Sequence, residues 1–261
     1  MGNGSRRNMA IENVKGLAVF SGKGGVGKSV ISLNLALGFG SLGIKTLLFD
    51  AGGGDLANLT NTGCPDHENR NFVITPITEN VGLFISSISD IYGLSVENMT
   101  ENLMIELAHT ARDYECVVFD CPTGSNPAVY LLSGLVEKSL IISTPDPTSI
   151  AGAYLLLKSL FKEGFADRCE VVFSQVDSGD EAAILKTKFD ILTRQFLEHR
   201  FELAGYIHRD PSVAESVLEQ QPLMIGKPRC RAGQDFYGLA LRQSRSREFH
   251  FETASAKSHL K

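Results

Sequence analysis

Short apolar runs alternate with longer stretches of helical spacing from one end of the chain to the other. The runs at 17–21, 46–50, 83–88, 116–120, 140–144, 171–174 and 203–207 are dense in Val, Ile, Leu and Phe. Most are continuously apolar rather than alternating, the pattern of strands covered on both faces and so of a parallel sheet between helical layers. Between them, 28–42 sets Ile31, Leu35 and Leu42 on one face with Ala36 and Phe39, and 96–112 spaces Leu103, Leu107 and Ala111 four apart. Residues 149–162 and 181–200 predict two more helices and 211–219 a short one. This order predicts an α/β, doubly wound, mostly parallel sheet of about seven to eight strands with helices on both faces; a barrel would need an eightfold repetition. No linker or repeat divides it. The expectation is a flexible segment at 1–14, a single domain over 15–241 and a polar tail at 242–261. Phe236, Leu239 and Ala240 stand at helical offsets ahead of Arg242, Arg245 and Arg247. They are either a last helix packed on the domain or a weak basic foot on a membrane.

Composition narrows the classes. The 261 residues include 25 Lys+Arg and 30 Asp+Glu, a net charge of −5, which gives no strong nucleic-acid signal. No apolar run approaches the roughly 18 residues that span a bilayer. The first residues lack the apolar middle of a signal peptide, and Arg6 breaks the myristoylation pattern. Five cysteines without a CxxC pair predict free thiols. A cytoplasmic protein is expected, at the inner membrane face if its C-terminal segment touches lipid.

The chemistry starts directly after the first apolar run, in SGKGGVGKS at 21–29. Gly22, Gly27, Lys28 and Ser29 satisfy G-x-x-x-x-G-K-[ST] between a predicted strand and a predicted helix. Glycines let successive backbone N–H groups turn toward one anion, and the helix dipole adds to that field. The loop residues Gly22, Lys23, Gly24, Gly25, Val26, Gly27, Lys28 and Ser29, with Val30 just inside the helix, are the expected phosphate cradle. Lys28 faces the β/γ-phosphates and the Ser29 hydroxyl faces Mg²⁺. Asp120 ends the apolar strand VVFD at the edge where ligands bind in such sheets, and Asp50 ends LLFD in the same manner. Both are candidate Mg²⁺ residues, and Asp50 could instead serve the attacking water.

Lys23 is not required by the general loop. GKGGVGKS with that early lysine resembles the deviant Walker A motif of the MinD/ParA family of P-loop ATPases. TPDPTSIAGAYLLLK at 144–158, GYIHRDPSVAESVLEQQPLMIGKP at 205–228, DLANL at 55–59 and FDCPTG at 119–124 resemble segments of its FlhG branch, MinD-like regulators of flagellar number and placement. The resemblance implies an ATP- and Mg²⁺-dependent homodimer, a protein partner or activator, and slow hydrolysis that resets the dimer. It makes Lys23 the lysine that reaches the opposite subunit's nucleotide and Asp120 the Walker B carboxylate. Asp146 would face the partner's ribose, and the backbone of His208, Arg209 and Asp210 would line the adenine.

Three departures accompany it. The family's D-x-D becomes Asp50-Ala51-Gly52, so that either Asp55, tethered by three glycines, replaces the second carboxylate, or the protein holds ATP without effective hydrolysis. Ser174 stands where an adenine-side Asn is usual. No DQAxxLR-type segment, with which FlhG proteins engage a GTPase or transcriptional regulator, precedes the first strand. Rival readings are a GTPase through Thr187-Lys188-Phe189-Asp190, an iron–sulfur carrier through Cys121, and a ligase of the same fold. The first motif lies in a helical stretch, the second lacks a paired cysteine, and the third needs an insertion that is not visible.

Overall fold

The computed structural model describes residues 15–52, 55–62, 72–86, 96–125 and 127–246. Within them, eight strands form one sheet. These are β1 (Lys15–Ser21), β2 (Thr46–Asp50), β3 (Thr75–Thr78), β4 (Val81–Ile85), β5 (Cys116–Asp120), β6 (Lys138–Ser143), β7 (Cys169–Val176) and β8 (Glu202–His208). Their order is β3-β4-β2-β5-β1-β6-β7-β8, and every pairing is parallel except β3 with β4. The doubly wound expectation is met, with β1 central.

The helices are α1 (Lys28–Ser41), α2 (Asp55–Thr60), α3 (Val96–Thr110), α4 (Pro127–Leu135), α5 (Pro147–Lys162), α6 (Gly179–Leu197), α7 (Pro211–Leu218), α8 (Leu223–Gly226) and α9 (Arg231–Ser244). Two apolar cores result because each central strand is buried on both faces. One joins Phe20, Phe49, Phe119 and Phe173 to α3, α4, α5 and α6. The other joins Leu17, Val19, Leu48 and Val118 to α1, α8 and α9. Residues 31–40 of α1 are all buried, which places that helix, and the loop preceding it, against the middle of the sheet.

Several boundaries differ from the periodicity. The strand expected at 83–88 runs from Val81 to Ile85, and 87–88 lie outside the described residues. α5 begins two residues early because Asp146 caps it, accepting from the Thr148 and Ser149 amides, with Pro147 in the first turn. α6 likewise begins at Gly179 under the Ser178 cap.

The C-terminal expectation needs correcting. α9 continues to Ser244, and Gln243 and Ser244 are buried, so the packed domain passes the boundary set at 241. Phe236, Leu239 and Ala240 lie in the core shared with α1. The membrane foot through these side chains is therefore excluded: the apolar face that lipid would need already covers the sheet. Arg247, the rest of the tail expected at 242–261 and the segment at 1–14 lie outside the described residues.

Candidate functional site

The loop between β1 and α1 is bent by Gly25 and Gly27, whose φ values are 77° and 86°. Side chains rarely adopt that region, so glycine is required for the turn. Gly27 is the N-cap of α1, and its carbonyl accepts from the Ile31 amide at 2.9 Å. The loop opens on a cleft of about 340 Å³ lined by Ser21, Gly25, Gly27, Lys28, Ser29 and Val30 on one side and by Gly52, Asp55, Asn58, Asp120 and Thr123 on the other. The Val26 side chain is 3% exposed and belongs to the core, so only its backbone is available to a ligand.

Lys28 and Asp120 meet across this cleft at 2.6 Å, with side chains 10% and 1% exposed. Ser32, one turn beyond Lys28, donates to the same Asp120 oxygen at 2.9 Å, and Lys28 lies 3.4 Å from the Ser29 hydroxyl. Asp50 and Asp120 are register partners on the parallel strands β2 and β5, which sets two buried carboxylates side by side. Asp50 itself stands behind the cleft wall, where its Oδ1 accepts from the Gly52 amide at 2.9 Å. Asp55 begins α2, is exposed and lines the cleft.

A second cleft of about 450 Å³ adjoins the first, sharing Gly27 and Val30. Its walls are Ile31, Ile207, Val213 and Phe236, with Ser174, Gln175, His208, Arg209 and Asp210 at the polar positions. The structure thus gathers the four residues expected beside the base. The Asp210 carboxylate caps α7, accepting from Ser212 at 2.9 Å and from the Ala232 amide at 3.0 Å. Burial alone would raise its pKa, but those amides prevail and hold it below the ordinary value.

Lys23 sits elsewhere. Its ammonium pairs with Asp146 at 3.2 Å and with the Thr148 hydroxyl, and the two charged side chains are 44% and 50% exposed. Hydrogen bonds from Thr148 and from Lys23 hold the Asp146 carboxyl well below its usual range. Neither residue lines the two clefts.

Sequence reasoning missed Ser21, Ser32, Thr148 and Gln175. Ser32 carried a signal, four residues after Lys28 on the same helical face. Ser21 carried another, as the residue before the loop's first glycine. Its hydroxyl is buried and makes no hydrogen bond among the described residues.

The rival motifs find other uses. Asp190 of the TKFD sequence lies within α6 and pairs with Lys186 at 2.7 Å and Arg200 at 3.2 Å, away from both clefts. Cys116, Cys121 and Cys169 are buried free thiols, Cys169 pushed up to about 12 by burial. Cys64 lies outside the described residues. No group of three or more His, Cys, Asp and Glu able to hold a metal occurs among the described residues. No described helix is long and apolar enough to cross a membrane.

Comparison with known proteins bears on the fold and the family. The antiactivator FleN of Pseudomonas aeruginosa is 27% identical over 239 residues, which cover 87% of this chain and 85% of that protein. The cell division ATPase MinD of Pyrococcus furiosus superposes with a TM-score of 0.70 at 20% identity, covering 91% of this chain and 99% of that one. MinD of Pyrococcus horikoshii complexed with Mg-ADP gives 0.68 at 18% identity, covering 87% and 94%. At such identities the superpositions establish a fold, the MinD-like P-loop sheet. Residues 17–223 match the CobQ/CobB/MinD/ParA nucleotide binding domain, and the chain therefore belongs to that family.

Proposed function

We propose that this chain is a MinD/FlhG-like ATPase that pairs with a second copy of itself on Mg-ATP. In that form it engages a protein partner or activator to set the number or position of a cellular structure such as a flagellum. The carrying observation is the division between the two loop lysines. Lys28 is buried in the cleft against Asp120, whereas Lys23 is 44% exposed outside it. A cation serving its own phosphates needs the first arrangement, and one serving an opposite subunit needs the second. FleN and MinD, the one named an antiactivator and the other a cell division ATPase, support the regulatory class.

The residues present fit the nucleotide. The two adjoining clefts match its polyphosphate and its base, and the Ser21 hydroxyl, without a partner among the described residues, stands in the wall of the first. Ser29 and Asp120 are hard oxygen donors at the cleft suited to Mg²⁺, which would neutralise phosphate charge when bound, while Asp50 stands behind them and holds the Gly52 amide. Lys28 leaves Asp120 for the β/γ-phosphates as ATP enters, and the loop amides take up the remaining charge. The base would rest between Val30, Ile31 and the segment from His208 to Asp210, with Ser174 in the polar part of the same wall.

For hydrolysis, Asp120 is held by Lys28 and Ser32, so with no second Asp at position 52 the exposed Asp55 is the cleft carboxylate left to orient the attacking water. The alternative, an ATP-locked interaction protein, is favoured by Gly52 itself. Titration calorimetry with Mg-ATP, followed by phosphate release, tests the reading: wild type binds and slowly hydrolyses ATP, and Lys28→Ala does neither. Absence of binding heat with folded wild type would refute it.

A further inference from the structure

We infer that Gln175 reads the hydrogen-bonding edge of the purine, an inference that rests on the 450 Å³ cleft being the base pocket. β7 and β8 pair Ser174 with Ile207 and Val176 with His208, so Gln175 is an extra residue on its strand. Such a bulge re-aims a side chain out of the strand's alternation. The φ of Gln175 is 60°, a conformation that glycine adopts without cost and glutamine does not.

The bulge is fastened in place. Arg209 donates from its guanidinium to the Gln175 carbonyl at 3.3 Å and from its amide to the Val176 carbonyl at 2.8 Å, while Asp177 holds its Nε at 3.1 Å. The other charged groups of the cleft are similarly engaged. His208 Nδ1 pairs with Asp235 at 2.7 Å, and Asp210 is occupied by the Ser212 and Ala232 amides. The Gln175 carboxamide makes no hydrogen bond among the described residues. It offers a donor and an acceptor side by side, the pair that matches an adenine edge, whereas Ser174 offers one hydroxyl.

The test measures affinities for ATP, purine riboside triphosphate, which lacks the 6-amino group, and inorganic tripolyphosphate, each with Mg²⁺. Wild type is expected to prefer ATP over the purine analogue about tenfold, the worth of one good hydrogen bond. Gln175→Met and Gln175→Gly should bind the two nucleotides equally, with tripolyphosphate unchanged. Gln175→Gly also relieves the positive φ, so its thermal midpoint should not fall, and lost preference cannot then be ascribed to misfolding. A wild-type preference retained in both variants, or absent from wild type, overturns the role of Gln175. Wild type that binds neither ATP nor tripolyphosphate overturns the nucleotide reading beneath it.

Discussion

Gly22 and Gly152 meet backbone to backbone: a Cβ on Gly22 would lie 2.0 Å from the Gly152 carbonyl oxygen. The first residue of the phosphate loop is thus braced on α5, the helix whose cap, Asp146, also holds Lys23. Gly22→Ala should destabilise the fold by about 3 kcal/mol or more, because the obstructing atoms are backbone. Gly24→Ala, whose Cβ would meet nothing within 4 Å, should change stability by less than about 0.5 kcal/mol. Equal denaturation midpoints for the two variants would contradict the packing.

Asp120→Ala removes the partner of a lysine that is only 10% exposed. Water reaches the cleft, so the expected loss of stability without nucleotide is about 2 kcal/mol, below the usual cost of breaking a fully buried pair. Lys23→Ala breaks an exposed pair and should cost less than about 1 kcal/mol. Urea denaturation of both variants checks the contrast, and a reversed order would contradict it.

Position 52 has room for a Cβ. A Cβ there would lie 3.4 Å from the Cys121 carbonyl oxygen, 3.5 Å from that of Asp120 and 3.6 Å from Asp50 Oδ1, all ordinary contacts. Gly52→Asp should raise ATP turnover about tenfold or more, and Asp55→Ala should lower the wild-type rate by a similar factor. Phosphate release decides. An Asp55→Ala rate equal to wild type would remove Asp55 from the reaction.

Acid should weaken the fold through depressed carboxyls. Burial opposes ionisation of Asp190 and Asp210, but Lys186 and Arg200 overrule it for the first and the Ala232 and Ser212 amides for the second. Because the folded-state values lie below the ordinary 3.8, the stabilisation is complete above that value and is lost as pH falls through it toward the folded-state values. Asp210→Asn, which preserves a capping oxygen, should flatten this acid limb in denaturation curves taken from about pH 6 downward. A limb parallel to wild type would show that Asp210 does not contribute.

Phe236 is 1% exposed in the core between α9 and α1. Phe236→Ala should cost about 3–5 kcal/mol, as calorimetric melting would register. A change below about 1 kcal/mol would reopen the idea of a peripheral C-terminal helix.

The parallel strands were legible because burial on both faces leaves a continuous apolar run, and the phosphate loop because its glycines and lysine are contiguous. β3 was not: its four residues include Pro76 and alternate between partly buried and exposed at the sheet edge. Polar composition hid the last turn of α9, where Gln243 is buried and its amide nitrogen donates to Glu170 at 2.8 Å. The Lys23–Thr148 contact spans 125 residues, and the bulge at Gln175 depends on the register between two strands. Both arise only when the sheet assembles, beyond the reach of local pattern.

The most direct measurement is the mass of the particle in solution, by sedimentation equilibrium, with saturating Mg-ATP or Mg-ADP. Wild type should be a dimer with ATP and a monomer with ADP. Lys23→Ala should be a monomer with either, while still binding ATP through Lys28. Wild type that stays monomeric when saturated with ATP, or Lys23→Ala that pairs as wild type does, would contradict an ATP-driven pairing through Lys23.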